Sequence, residues 1–277
     1  VAGRIGFAWL RQRLSRAGIL VSAAVGDPKK NEKRGSGTMH KMKWVASIVA
    51  MAFLAAYNAK AMGVRHYVAQ YMFNTPRETS PAMDLAKMAA KRELIEGLVG
   101  DGFEAFREVR AGLSSMPADF DKAKGHLASS ATISQAMDPH ILHVVGYSES
   151  DHAITAPELI ESCRIARGAV DNCLRGLPDM MADPRVRARK DELTAEAAVL
   201  LEAVRRLGED VSDDPWTDPR TIAAAIAKGF LDAPHFKGGK AGRGDVVTRS
   251  IDGACRAVDP STGRPLTESE RLARLGA

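Results

Sequence analysis

Residues 65–97 read RHYVAQYMFNTPRETSPAMDLAKMAAKRELIEG, and this stretch decides the fold. Its first nine residues are rich in β-branched and aromatic side chains and have the length of a strand. Asn74-Thr75-Pro76 follows with ordinary turn chemistry. Ser80 then reads as an N-cap, Pro81 as the first helical position and Gly97 as a stop. Strand, turn and helix in this order make one βα unit.

The same unit recurs on both sides. Upstream, residues 19–25 read as a strand and residues 38–62 as a helix, bounded by Gly35-Ser36-Gly37 and Gly63. Downstream, residues 106–113 read as a strand, followed by a helix from Asp119 or Asp121 to Met137, ahead of Asp138-Pro139. Residues 140–146 form the last strand, and Thr155 caps a helix with Pro157 and Glu158 in its first turn. Parallel strands need crossover connections, so four βα units predict an α/β protein with helices packed on a parallel sheet. After Gly176 the pattern changes. Residues 184–207 predict a long charged amphipathic helix, a shorter one starts at Asp218-Pro219, and a Gly-rich stretch leads to a hairpin over 246–258 and a terminal helix. The division expected is 1–176 for the βα units and 177–277 for a helical, Gly-rich extension forming an accessory element.

Composition narrows the function. With 277 residues, 45% hydrophobic and 26% charged, the chain is not intrinsically disordered. The net charge of +5 comes from scattered Lys and Arg, and aromatics are only 5%, so no nucleic-acid partner is expected. Cys163, Cys173 and Cys255 form no C-x-x-C pair and leave an odd thiol, which points to a reduced, cytoplasmic protein. The apolar run 44–57 is shorter than the ~18 residues that span a bilayer, so no membrane association is expected. Residues 2–20 have an amphipathic pattern and not that of a signal peptide, and the missing initiator Met suggests a chain cut from something longer. Walker-type G-x-x-x-x-G-K-[ST] and nucleophile-elbow G-x-S-x-G motifs are absent.

Parallel α/β folds place ligands beyond the carboxyl ends of their strands. All four such ends are polar here. They carry Asp27 after the first, Asn74 after the second, Ser114 and Ser115 after the third, and Tyr147, Ser148, Glu149, Asp151 and His152 after the fourth. A carboxylate three residues from an imidazole could hold a substrate ammonium or move a proton, which singles out Glu149 and His152. His140 and His143 alternate along a strand and point to opposite faces, so no metal site is expected from them.

Ser114-Ser115-Met116-Pro117, Lys124-Gly125-His126 and Gly146-Tyr147-Ser148-Glu149-Ser150-Asp151-His152 resemble the TIM-barrel subunit of the adenosylcobalamin- and PLP-dependent aminomutases that act on lysine and D-ornithine. The C-terminal helix around Leu200-Leu201-Glu202-Ala203 and the Gly-rich Lys237-Gly238-Gly239-Lys240 are similar to that family as well. The resemblance implies the C-terminal half of a (β/α)8 barrel, radical 1,2-migration of an amino group on an amino acid, and cytoplasmic work within an oligomer. It implies adenosylcobalamin held mainly by a Rossmann-type cobalamin-binding subunit, since the Asp138-Pro139-His140 run lacks the glycine that completes the D-x-H-x-x-G cobalamin motif. PLP is a possible second cofactor. Glu149 matches the acid that holds the substrate amine, and Asp27 stands where the family has an acidic cofactor or substrate contact. Asn74, Arg110, Ser114, Ser115 and Tyr147 are candidate substrate or cofactor contacts beside catalytic Glu149 and His152. The family's lysine before Met-Pro is not reproduced, and Arg110 is the nearest upstream cation. A corrinoid methyltransferase, another barrel lyase and a non-catalytic subunit that docks a corrinoid protein are the alternatives.

Overall fold

Side-chain alternation sorts the strand β2 (His66–Phe73) into two faces. Ala69, Tyr71 and Phe73 are buried, whereas His66, Val68, Gln70 and Met72 keep partial exposure. The computed structural model describes Ile19–Leu20 and residues 45–240 and 242–277. Within it, β1 (Ile19–Leu20), β2, β3 (Glu104–Ala111) and β4 (Ile141–His143) form a sheet in sequential order, every neighbour parallel. The register runs from His66 opposite Glu104 to Phe73 opposite Ala111, and from Glu108 opposite Ile141 to Arg110 opposite His143. The α/β reading and the parallel crossovers therefore hold.

Four helices alternate with the strands: α1 (Val45–Ala61), α2 (Pro81–Glu96), α3 (Phe120–Ser134) and α4 (Ala156–Leu174). Ser80 caps α2 by accepting from the Met83 N–H, with Pro81 at its start. Thr155 and Glu158 close a capping box on α4. Buried side chains of β2 and β3 meet Leu85, Ala86, Met88 and Ile95 of α2, Ala56 of α1 and Ile133 of α3 in one apolar cluster. Each fully buried Leu, Ile or Phe there contributes roughly 1.5–3 kcal/mol.

Two strands differ from the sequence expectation. β3 starts and ends two residues early, and past it the Gly112 N–H makes a last bond to the Phe73 carbonyl before Leu113–Ser115 winds into a 3-10 turn. β4 pairs only over Ile141–His143 and not over the expected 140–146, since the Gly146 N–H is taken by the Glu149 carboxylate. The expected strand residues 21–25, the helix residues 38–44 and Asp27 lie outside the described residues.

Residues 177–277 join the same body. The helix α5 (Pro184–Gly208) lays Leu193, Ala197, Leu200, Leu201 and Val204 on Val49, Ala50 and Leu54 of α1 and Ala90 of α2. That cluster also takes in Ala225 of α6 (Pro219–Lys228), Cys255 of the antiparallel hairpin β5–β6 (Thr248–Ile251, Ala254–Ala257) and Leu272 of α7 (Glu268–Ala273). Among the described residues the helices thus pack on one face of β2 and β3, and His66, Gln70, Glu108 and His143 on the other face keep partial or full exposure. Among the described residues no helix is long and apolar enough to cross a membrane.

Candidate functional site

The loop after β2 is held from below by a buried ion pair. Asn74 sits in the left-handed region with φ 53°, and its N–H donates to Asp84 Oδ2. Its side-chain amide donates to the His126 carbonyl at 3.1 Å and to Ser130 Oγ at 2.7 Å. Lys87 Nζ donates to Asp84 Oδ1, to the Thr75 carbonyl and to the Met72 carbonyl. Burial pushes the Asp84 carboxyl above its usual range, and the Lys87 ammonium beside it opposes that shift. Ser115 Oγ donates to Thr75 Oγ1 at 3.0 Å, which ties the loop after β3 to the loop after β2. Ser114 beside it is exposed. Asn74 and Ser115, both expected at the site, thus shape the rim through contacts within the protein.

At the end of β4 the expected residues make their hydrogen bonds to different partners. Glu149 Oε1 accepts from the Gly146 N–H at 2.7 Å, and its second oxygen has no partner among the described residues. His152 is engaged at both ring nitrogens, by Asp151 at 3.0 Å and by Glu158 at 3.0 Å, and these hydrogen bonds hold its pKa above the ordinary value. Glu158 is in turn drawn down to about 2 by the Thr155 backbone N–H and hydroxyl and by His152. No hydrogen bond or ion pair joins Glu149 to His152 among the described residues. Tyr147 is buried, donates to Glu161 Oε2 at 2.8 Å and lies under Lys124 Nζ at 4.7 Å from its ring centre. Tyr147, Glu161 and Lys124 therefore form a cluster on the side of α3 and α4, and the Phe120 ring, with its centre 5.5 Å from that of Tyr147 and 6.0 Å from that of His152, links it to His152.

The open sheet face carries a row that the sequence reading did not assemble. Gln70 Nε2 donates to Glu108 Oε1 at 2.9 Å, and His143 Nδ1 lies 3.1 Å from the same oxygen. One residue each of β2, β3 and β4 is thereby joined across the sheet. Arg110, opposite His143 in the register, donates from Nε to the Ala111 carbonyl at 3.2 Å, and its two outer nitrogens have no partner among the described residues. His66, Gln70, Glu104, Glu108 and Arg110, spaced by even numbers within their strands, were the visible signal in the sequence. Their meeting depended on the register, which a single sequence does not carry.

A guanidinium whose outer nitrogens have no partner among the described residues can take a carboxylate or phosphate, and a carboxylate can take an ammonium. Among the described residues no group of three or more metal-ligating side chains comes together. Comparison with known protein families and with curated proteins gives no match.

Proposed function

We propose that this chain is the barrel subunit of an adenosylcobalamin-dependent mutase that shifts an amino group between adjacent carbons of an amino acid. In this reading the four βα units are the C-terminal half of a (β/α)8 barrel, and residues 177–277 are its extension. The observation that carries it is the partly open face of a sequentially ordered parallel sheet, where Arg110, next to the carboxyl end of β3, and Glu108, two residues before it, set opposite charges. Parallel sheets are as a rule covered on both faces and apolar within them. A row of charge on one face is what a zwitterionic substrate needs.

Of the groups at these strand ends, the exposed Ser114 hydroxyl would be the donor to a PLP phosphate. PLP there would supply the electron sink at the amino-bearing carbon, and adenosylcobalamin on a Rossmann-type partner subunit would supply the radical. Arg110 anchors the anion, and the second oxygen of Glu149 receives the substrate ammonium. Thr75 and Ser115, locked to one another, keep the rim between them closed to water.

The test is to combine the full chain with its corrinoid-binding partner, adenosylcobalamin, PLP and a panel of diamino acids, and to record the visible spectrum. A cob(II)alamin signal with one substrate is expected, and silence with every substrate would sink the reading. Glu149→Gln is expected to abolish turnover with corrinoid binding retained.

A further inference from the structure

We infer that His143 is a proton-accepting base for the primary ammonium of an amino-acid substrate, held in the productive tautomer by Glu108 and Gln70. The inference rests on the reading of the open sheet face as an amino-acid site and names a group there that the reading does not use. A carboxylate only accepts hydrogen bonds, so the ring nitrogen 3.1 Å from Glu108 Oε1 must carry a hydrogen. In the neutral imidazole this leaves Nε2 as a bare lone pair. Nothing among the described residues bonds to it, and the His143 side chain is 45% exposed on the open face. Glu108, with 19% of its side chain exposed, is itself fixed by the Gln70 amide at 2.9 Å. Base, orienting carboxylate and a third group that orients the carboxylate are thus aligned across three strands. This is the arrangement that fixes tautomer and direction in acid–base catalysis.

Position strengthens the case. His143 is the last residue of β4, where parallel sheets carry their chemistry, and the register sets it beside Arg110. Among the described residues, the charged groups next to it across the register are Glu108 and Arg110, both of β3. With the substrate anion on Arg110, its ammonium lies within reach of the neighbouring strand. An N–H bond of the ammonium breaks, the proton passes to Nε2 and the electron pair stays on the substrate nitrogen. The product is a neutral, nucleophilic amine and an imidazolium stabilised by Glu108. Gln70 and Glu108 are positioning residues in this scheme.

The experiment is nitrogen NMR of the histidine rings in the full chain with PLP present, titrated with pH and then with L-lysine and D-ornithine as probes, with His143→Gln identifying the resonance. Three results are expected: an Nδ1–H tautomer in the free protein, loss of that tautomer preference in Glu108→Gln, and transfer of a proton to His143 when a probe binds. An Nε2–H tautomer in the free protein, or an unchanged tautomer preference in Glu108→Gln, overturns the inference. Calorimetry separates the two levels. Binding of a probe with no change at His143 removes the base and leaves the amino-acid site standing, whereas no binding of either probe removes both.

Discussion

Lys87 and Asp84 lie one turn apart on α2, both almost wholly buried, and together they fasten three backbone groups of the segment 72–75. Removing one partner leaves the other as an uncompensated buried charge, which costs about 3–5 kcal/mol. Lys87→Met is therefore expected to lower the urea midpoint sharply, and the double variant Asp84→Asn/Lys87→Met to recover part of the loss. Equal midpoints for Lys87→Met and the parent would show that the pair is not holding the loop. Little of this was legible beforehand. Asp84 and Lys87 look like solvated charges on an amphipathic helix, and only the packing of α2 on the sheet turns that face inward. Glu149 and His152 were legible as polar residues at a strand end. Their hydrogen bonds to different partners, Gly146 for one and Asp151 and Glu158 for the other, depend on the path of the loop.

Elements whose ends are written in side-chain chemistry were read well. Ser80-Pro81 and Asp218-Pro219 start their helices, and the Thr155–Glu158 box starts α4. The strand ends were read less well, because the loop that follows claims backbone groups, the Gly112 carbonyl for the Ser115 N–H after β3 and the Gly146 N–H for Glu149 after β4. The hairpin β5–β6 shows a tertiary use of a turn residue. Gly253 has φ 71°, and its carbonyl accepts from the Ser80 N–H at 2.8 Å, at the start of α2. A Cβ on residue 253 would stand 2.6 Å from Ser80 Cβ. Gly253→Ala then combines a left-handed backbone with overpacking and is expected to cost about 2 kcal/mol or more, measured by urea unfolding. Protection of the Ser80 amide from hydrogen exchange should fall with it.

For the molecule as a whole, α5 is the member that unites the parts, since its apolar stripe touches α1, α2, the hairpin and the terminal helix. Beside that stripe sits Glu196, nearly buried, among Arg189 and Glu192 of α5, Arg256 of β6 and Glu268 of α7. Burial raises its pKa from 4.5 to about 7, with Arg189 opposing the shift and Glu192 adding to it. A carboxyl whose folded pKa is raised contributes stability that is fully present below its unfolded value and is lost as pH climbs through the folded one. Stability from this group therefore falls between about pH 4.5 and pH 7, by an amount on the order of 3 kcal/mol. Glu196→Gln is expected to flatten that slope and to be more stable than the parent at pH 8, and identical slopes in the two proteins would refute the assignment. The amphipathic stripe of α5 was plain in the sequence, but a carboxylate on its inner edge was indistinguishable there from one facing water. One contact also bears on the order in which the chain comes together. Ser250 Oγ donates to the Glu78 carbonyl, a partner 172 residues earlier, beside the Gly253 link to Ser80. During synthesis from the amino end, β2, β3 and β4 emerge well before this brace exists. The rim after β2 should then mature last, and nascent chains halted before residue 250 should show native-like helices with that loop still open to proteases.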